Sequence, residues 1–215
     1  MIIIFNGPPG TGKDEAANFF EASGFTHLSF KKILFKETIE HFGVSEQWFM
    51  KDYHNREVKE RPETSLQGLS RREALIHVSE EIIKPIEGPD FFGKCVASEI
   101  QDGHDYAVSD GGFIEELTPI INTIGADNIV LVQLTRDGCD YSFDSRRYFD
   151  GNVIKEYVLD HKTPINEKHV LSHKFFIRTY RIHNNSTLED FHGVLQKIYQ
   201  KEKVLDGTEK KGKAA

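Results

Sequence analysis

The residues best suited to chemistry lie near the start of the chain, in a glycine-rich loop. Residues 7–13 read GPPGTGK and match the pattern G-x-x-x-x-G-K. The apolar residues 2–5 before the loop predict a buried strand, and residues 15–22 after it predict an amphipathic helix. In this order, backbone N–H groups, a helix N-terminus and a lysine all converge on phosphate oxygens. We therefore expect a nucleotide phosphate site made of Gly7, Pro8, Pro9, Gly10, Thr11, Gly12 and Lys13.

Two carboxylates at the ends of predicted elements are candidates for a shared Mg²⁺ site. Asp14 stands where the loop pattern normally has Ser or Thr, and its carboxylate can hold the ion directly or through water. The alternative is that Asp14 only interacts with the helix dipole. Asp110 follows a predicted strand, and Gly111 and Gly112 leave room for a ligand beside it. Asp110 is expected to orient a Mg²⁺-bound water or a substrate hydroxyl, or else to cap a helix.

These residues need a sheet whose strands end at one edge. Strands are predicted at residues 2–5, 27–30, 106–109, 128–134 and 176–182, alternating with helices at 15–22, 32–41, 70–84, 90–103, 113–123 and 188–203. This alternation predicts an α/β fold of three layers, with a parallel sheet of about five strands flanked by helices. We expect one domain over residues 1–205, with a substrate-binding excursion at about 45–103 and a lid at about 136–173. Residues 206–215 are predicted to be a disordered tail.

Three motifs together resemble the nucleoside monophosphate kinase branch of the P-loop proteins, and most closely the phage deoxynucleoside monophosphate kinases. The first is the loop ending Gly12-Lys13-Asp14. The second is LSRREAL at 69–75 with PDFF at 89–92, which resembles the substrate-side helix pair of those kinases. The third is IHNNSTLEDF at 182–191, similar to their last strand, Asn-rich turn and closing helix. One departure is that the turn 110–113, DGGF, lacks the arginine that usually follows in the family.

The resemblance implies Mg²⁺-dependent transfer of the γ-phosphoryl group of ATP to a nucleoside or deoxynucleoside monophosphate. It implies that the Asn-rich turn lies near the base of ATP and that arginines converge on the group in transfer, because a planar guanidinium pairs two phosphate oxygens at once. The implied residues are Asn184 and Asn185 for ATP, Arg136, Arg146 and Arg147 for the clamp and lid, and Arg71 or Arg72 for the acceptor phosphate. By residue type alone, Lys31 could also face that phosphate, and Trp48 and Phe91 could stack on the base.

Each of these side chains also has a structural interpretation. Arg146 and Arg147 are equally consistent with a solvated surface, and Lys31 with an exposed helix face. Aromatic residues of the excursion, Trp48 with Phe49, Tyr53 and His54, are as well explained by packing beneath a long loop. The competing functions are a kinase of another small acceptor, resembling phosphomevalonate or shikimate kinases, and a module that binds ATP without transfer.

Composition excludes several other classes of protein. The 27 Lys and Arg residues against 34 Asp and Glu residues give a net charge of -7, which disfavours binding to nucleic acid. Two cysteines provide no disulfide framework, and His169 and His173 have no third ligand for zinc. No apolar run approaches the roughly 20 residues of a membrane span. We expect a cytoplasmic protein (in the host cytoplasm if phage-encoded), a monomer or homodimer with nucleotide substrates and no membrane partner.

Overall fold

Five parallel strands form one sheet at the centre of the computed structural model, which describes residues 1–53, 55–142, 144, 146–160 and 176–212. They are β1 (Ile2–Asn6), β2 (Thr26–Leu28), β3 (Tyr106–Val108), β4 (Ile129–Thr135) and β5 (Arg178–His183). Their order is β2-β3-β1-β4-β5, with Ile4 of β1 paired to Val108 on one side and Leu131 on the other. The predicted parallel sheet of about five strands is confirmed.

Helices cover both faces of the sheet because alternate β1 side chains point to opposite faces. Ile3 and Phe5 belong to a core built with α1 (Lys13–Ala22) and α10 (Leu188–Gly212). Ile2 and Ile4 belong to a second core on the other face. The helices that contribute to this second core are α2 (Phe30–Phe42), α7 (Phe91–Ser98), α8 (Leu117–Ile124) and α9 (Gly151–Asp160). The result is the predicted three-layer α/β fold.

A third, smaller core lies within residues 45–75, which we call the helical excursion. It contains α3 (Glu46–Met50), α4 (Arg56–Glu60), a 3-10 turn (Thr64–Leu66) and the start of α5 (Arg71–His77). Phe49 and Leu66 are fully buried at its centre. The excursion was predicted to extend to residue 103. Beyond residue 77, however, Val78 and Phe92 pack into the second core, which lies against the sheet, so only the first part of the excursion has a core of its own.

Three elements differ from their predictions. The helix predicted to stop before Pro85 continues from α5 through a π-helical segment (Val78–Ile83) into α6 (Lys84–Glu87), whose second residue is the proline. Helix α9 occupies part of the segment predicted to be irregular. Helix α10 runs to Gly212 rather than ending near Lys203, and so enters the segment 206–215 that was predicted to be a disordered tail.

Part of the predicted lid, residues 161–175, lies outside the described residues, as do His169, His173 and His54. Within the described ranges, no helix combines the length and the apolar character that crossing a bilayer requires.

Candidate phosphate-binding site

The glycine-rich loop has the strand–loop–helix setting that the sequence predicts. It connects β1 to α1, and Gly10 and Gly12 adopt left-handed φ angles of 86° and 96° that other residues rarely take. A side chain at Gly12 would also bring a Cβ within 2.7 Å of the Asn184 Nδ2 atom. Thr11 is buried and its hydroxyl donates to the Pro8 carbonyl over 2.9 Å. The loop is therefore held in one curled conformation by its own residues.

The ends of β4 and β5 support this loop from outside. Asn184 is buried and donates its side-chain N–H to the Thr11 carbonyl over 3.0 Å, while its backbone N–H donates to Thr135. Arg136 donates to the Gly10 carbonyl over 3.4 Å. The predicted ATP residue Asn184 thus holds the loop itself, and Asn185, exposed beside it, accepts a bond from the Asp137 backbone N–H.

Lys13 begins α1 and turns back over the loop, where its Nζ donates to the Pro8 carbonyl over 2.7 Å. Burial, followed by the charge of Arg146, lowers the pKa of Lys13 to about 8, while Asp14, Asp144 and Asp110 act in the opposite direction. The lysine is thus partly desolvated and close to both positive and negative groups. A phosphate bound in the loop would be an additional favourable partner for its ammonium.

The structure corrects the expectation that Asp110 faces a metal ion. Its Oδ2 accepts hydrogen bonds from the Ser29 hydroxyl (2.9 Å) and the Lys31 backbone N–H (2.7 Å), and its Oδ1 accepts from the Phe30 backbone N–H (3.2 Å). Burial raises the pKa of Asp110, and these three bonds oppose that rise. Both carboxylate oxygens therefore cap the N-terminus of α2, a helix that precedes Asp110 in the chain.

A second group of cations faces the same region from α2 and the excursion. The Nζ atoms of Lys31 and Lys59 lie 4.8 Å and 5.2 Å from the centroid of the buried Tyr53 ring. Burial lowers the pKa of Lys31 to about 8 and also lowers that of Lys59, and each lysine is next affected by a neighbouring cation, Lys59 and Arg72 respectively. We call Lys31, Lys59 and Arg72 the second cation group. Sequence reasoning missed Lys59, since nothing distinguishes it from other charges of that segment.

Arg146 connects Lys13 to this second cation group. Its charge lowers the pKa of Lys13, second only to burial, and is a smaller contribution to the lowered pKa of Lys31 and Lys59. The guanidinium is held by Asp144 through two hydrogen bonds, Nε to Oδ1 over 2.8 Å and Nη2 to Oδ2. Although burial favours the neutral acid, those bonds hold the pKa of Asp144 below its usual value. Sequence analysis placed Arg146 in the site and missed Asp144.

The space expected for a ligand at Gly111 and Gly112 is occupied by protein. A Cβ at Gly112 would lie 2.6 Å from the Cγ of Arg146 and even closer to the Cδ of the same arginine. A Cβ at Gly111 would meet the Ile4 side chain and the Phe5 carbonyl of β1. These glycines therefore allow the turn to pack against Arg146 and against the sheet.

Arg71 also differs from its predicted role as an acceptor ligand. Its side chain is 3% exposed, and it donates to the backbone carbonyls of Phe49, Val58 and Trp48 over 3.0 to 3.3 Å and to Glu63 over 3.3 Å. Its guanidinium also lies 4.6 Å from the Trp48 ring. Arg71 and Trp48 are thus engaged in packing the excursion, and Arg72, half-buried on the adjacent position of α5, is the member of the pair that faces Lys59.

Two further predicted residues make other contacts. Phe91 packs against the second core and makes an edge contact with Phe92, with 5.3 Å between ring centroids. Arg147 has an exposed side chain, and its backbone carbonyl accepts a bond from the Asn6 side chain. The interpretations as core packing and as surface therefore account for these two side chains.

No preformed metal centre is present in the parts of the chain that the structure describes, since no three His, Cys, Asp or Glu residues there could hold an ion together. Asp14 lies exposed in the first turn of α1, next to Lys13. Mg²⁺ commonly uses one or two carboxylates with substrate phosphates and water. Asp14 fits that mode, in which the ion arrives with the nucleotide.

Comparison with known proteins gives structural likenesses at low identity. No protein-family model and no curated protein matches the sequence. A gluconokinase from Sinorhizobium meliloti 1021 is 10% identical, with 95% of this chain and 96% of that chain covered and a TM-score of 0.43. The shikimate kinase from Acinetobacter baumannii in complex with shikimate is 14% identical, with 96% and 93% covered and a TM-score of 0.37. The dephospho-CoA kinase from Campylobacter jejuni is 13% identical, with 93% and 95% covered and a TM-score of 0.40.

These scores carry no conclusion about substrate or reaction. The chain's own strand order, and the glycine-rich loop between its central strand and the following helix, give it the three-layer α/β P-loop fold.

Proposed function

We propose that the protein is a kinase that transfers the γ-phosphoryl group of ATP to a nucleoside or deoxynucleoside monophosphate. The observation that carries the proposal is the presence of two cationic sites joined by one arginine. Lys13 lies in the loop suited to a nucleotide triphosphate. Lys31 and Lys59 lie over the Tyr53 ring of the excursion, and the charge of Arg146 acts on the pKa of all three lysines. Two anionic ligands that meet at Arg146 match this distribution of charge.

The acceptor class follows from the second cation group. Burial lowers the pKa of both Lys31 and Lys59, so each ammonium is held where it is partly desolvated. Asp110 and Asp14 offset part of the charge of Lys31, and Glu60 and Asp144 offset part of that of Lys59. A phosphate monoester would add a dianion beside these cations, whereas a neutral hydroxyl would add no charge. A monophosphate acceptor is therefore favoured over an unphosphorylated one. The resemblance of the loop ending Gly12-Lys13-Asp14 supports a nucleotide as that monophosphate.

The proposed chemistry needs positioning and charge neutralisation rather than a covalent intermediate. Phosphoryl transfer proceeds with negative charge spread over the oxygens of the transferred group, and cations fixed around that group lower the barrier. Lys13 would bind the phosphates of ATP, Arg146 the group in transfer, and Lys31, Lys59 and Arg72 the acceptor phosphate. Arg136, beside Gly10, would meet the donor from the other side of the loop.

Mg²⁺ fits this arrangement through Asp14. The ion would neutralise charge on the β- and γ-phosphates, and Asp14 would hold it directly or through water. Asp110 is not proposed as a ligand, because its oxygens already cap α2.

The test is an acceptor panel with the full-length protein, ATP and Mg²⁺. The panel contains the ribo- and deoxyribonucleoside monophosphates, the matching nucleosides, shikimate and gluconate. We expect ADP to appear in a one-to-one ratio with a nucleoside diphosphate, only with monophosphates, and only with Mg²⁺ present. Transfer to an unphosphorylated acceptor alone would overturn the proposal. Tight ATP binding with no transfer to any acceptor would overturn it in favour of a non-catalytic nucleotide-binding module.

A further inference from the structure

Gly112 is a glycine whose backbone does not require one. Its φ angle lies outside the left-handed region that glycine favours, unlike those of Gly10 and Gly12 in the loop. What distinguishes the position is space: a Cβ there would lie 2.6 Å from the Cγ of Arg146 and 3.0 Å from its Cβ. The aliphatic part of Arg146 therefore occupies the space that a side chain at position 112 would need.

The backbone around Arg146 is fixed to the same turn. Asn6, the last residue of β1, donates its side-chain N–H groups to the Gly111 carbonyl over 2.9 Å and to the Arg147 carbonyl over 3.0 Å. The Arg147 backbone N–H lies 3.5 Å from the Gly112 carbonyl. The central strand, the turn after β3 and the segment that carries Arg146 therefore meet at one place.

Asp144 fixes the other end of the side chain. It holds the guanidinium through two hydrogen bonds, and its side chain is 10% exposed against 24% for Arg146. Lys13, Lys31 and Lys59 repel the guanidinium, so a negative charge is needed to keep it among them. A planar guanidinium has five N–H donors, and Asp144 uses two of them, which leaves donors for a phosphate.

We propose that Gly112 and Asp144 are positioning residues that hold Arg146 between the loop lysine and the second cation group. Gly112 admits the aliphatic part, Asp144 orients the guanidinium, and Arg146 binds the phosphoryl group as it passes from donor to acceptor. The role of Arg146 in transfer rests on the proposed function. The positioning of the Arg146 side chain by Gly112 and Asp144 rests on the contacts alone.

A double-mutant cycle between positions 112 and 146 tests this inference. The variants are Gly112→Ala, Arg146→Ala and the double variant, with Gly193→Ala as the control because a Cβ there meets nothing within 4 Å. Three quantities are measured for each: the urea midpoint of unfolding, the affinity for ATP by calorimetry, and kcat with the best monophosphate acceptor.

Gly112→Ala is expected to lower the urea midpoint and to reduce kcat by about 100-fold, because the arginine is displaced from the transferred group. In the Arg146→Ala background the same glycine substitution should leave the urea midpoint nearly unchanged and should change kcat by less than about twofold, since most of the side chain that it would strike is gone. Gly193→Ala should leave ATP affinity and kcat unchanged and should not lower the urea midpoint, because alanine favours the helix α10 more than glycine does. Asp144→Asn should lower kcat with ATP affinity nearly unchanged, and Asp144→Glu should restore part of the loss.

Additive effects of the 112 and 146 substitutions would overturn the inference, because Gly112 would then act independently of Arg146. An unchanged kcat in Asp144→Asn would remove Asp144 from the positioning role. Failure of the proposed function would be distinguishable, because neither the unmodified protein nor any variant would then phosphorylate a monophosphate. The coupling between positions 112 and 146 in the urea midpoint would still report whether Arg146 packs on Gly112.

Discussion

Lys13 and Lys31 have pKa values near 8 instead of the ordinary 10.5, and burial is the largest cause for both. A partly desolvated ammonium loses hydration that only a close counter-charge replaces. Asp14, Asp110 and Asp144 supply some of that charge to Lys13, but Arg146 opposes them. Binding of a phosphate therefore favours the protonated form of Lys13, which is less stable in the free protein.

The low pKa of Lys13 predicts proton uptake when ATP binds. As the pH rises through about 8, free Lys13 loses its proton, whereas the phosphate-bound form keeps it because the anion raises the lysine pKa again. At pH 8 we expect an uptake of about half a proton per ATP, and an affinity that falls between pH 8 and 9.5. Calorimetry in buffers of different ionisation enthalpy measures the uptake.

Two variants assign this uptake to its source. Lys13→Arg should remove it, because a guanidinium stays charged throughout the range. Lys32→Ala, at an exposed position of α2, should keep it. An ATP affinity that is constant from pH 7 to 9.5 in the unmodified protein would contradict the prediction.

At this scale the sequence predicts residues whose role depends on chain neighbours and misses those whose role depends on the fold. Lys13 follows from the loop pattern itself. Lys59 does not, because it gains its role from Lys31 and Tyr53, which are distant in the chain. Asp144 pairs with Arg146 only two residues away, but the spacing of the two charges does not by itself indicate that pair. Gly112 was interpreted as space for a ligand, since the sequence cannot show that the side chain of Arg146 occupies it.

Among the elements, the helical excursion depends most on one residue. Helices α3 and α4 are five residues each, too short to be stable alone. Arg71 connects them, because its guanidinium binds carbonyls of Trp48 and Phe49 in α3 and Val58 in α4. A buried guanidinium thus takes the place of a larger apolar core in this part of the chain.

Arg71→Ala is therefore expected to destabilise the protein by about 3 kcal/mol, because three partly buried carbonyls lose their donor. Urea denaturation measures the loss. Arg61→Ala is the matched control, since Arg61 also pairs with Glu63 but its side chain is 63% exposed, and it should have a much smaller effect. If Arg71→Ala left stability unchanged and weakened only acceptor binding, Arg71 would be the substrate ligand that the sequence predicts.

The sequence pattern of each element explains whether it could be predicted. The central strands could be predicted, because β1 and β4 are nearly continuous apolar runs, as buried parallel strands are. The short helix α6 could not be, because Pro85, its second residue, indicates a stop. Helix α9 was missed because the charged and aromatic residues before it masked its periodicity.

The whole molecule has a net charge of -7, although its candidate site is rich in cations. Lys13 lies in the loop and Lys59 in the excursion, while acidic side chains such as Glu40 and Glu99 lie exposed elsewhere on the fold. A ligand carrying phosphates to both sides would connect two parts of the fold that have separate cores, the sheet and the excursion.

A bisubstrate ligand, two nucleosides joined by five phosphates, should therefore stabilise the protein more than ATP does at the same concentration. At 100 times its dissociation constant it is expected to add about 2.7 kcal/mol to the free energy of unfolding. Lys59→Ala should reduce the thermal shift produced by this ligand and leave the shift produced by ATP nearly unchanged, because Lys59 lies on the acceptor side.

Lys51→Ala, exposed in the same excursion, is the control and should alter neither shift. Equal losses with both ligands in Lys59→Ala would mean that Lys59 acts on the donor or on the fold as a whole. An undiminished shift with the bisubstrate ligand would mean that the excursion does not hold the second phosphate. The cleft would then be a site for one nucleotide, and the low pKa of Lys59 would reflect burial beside Tyr53 alone.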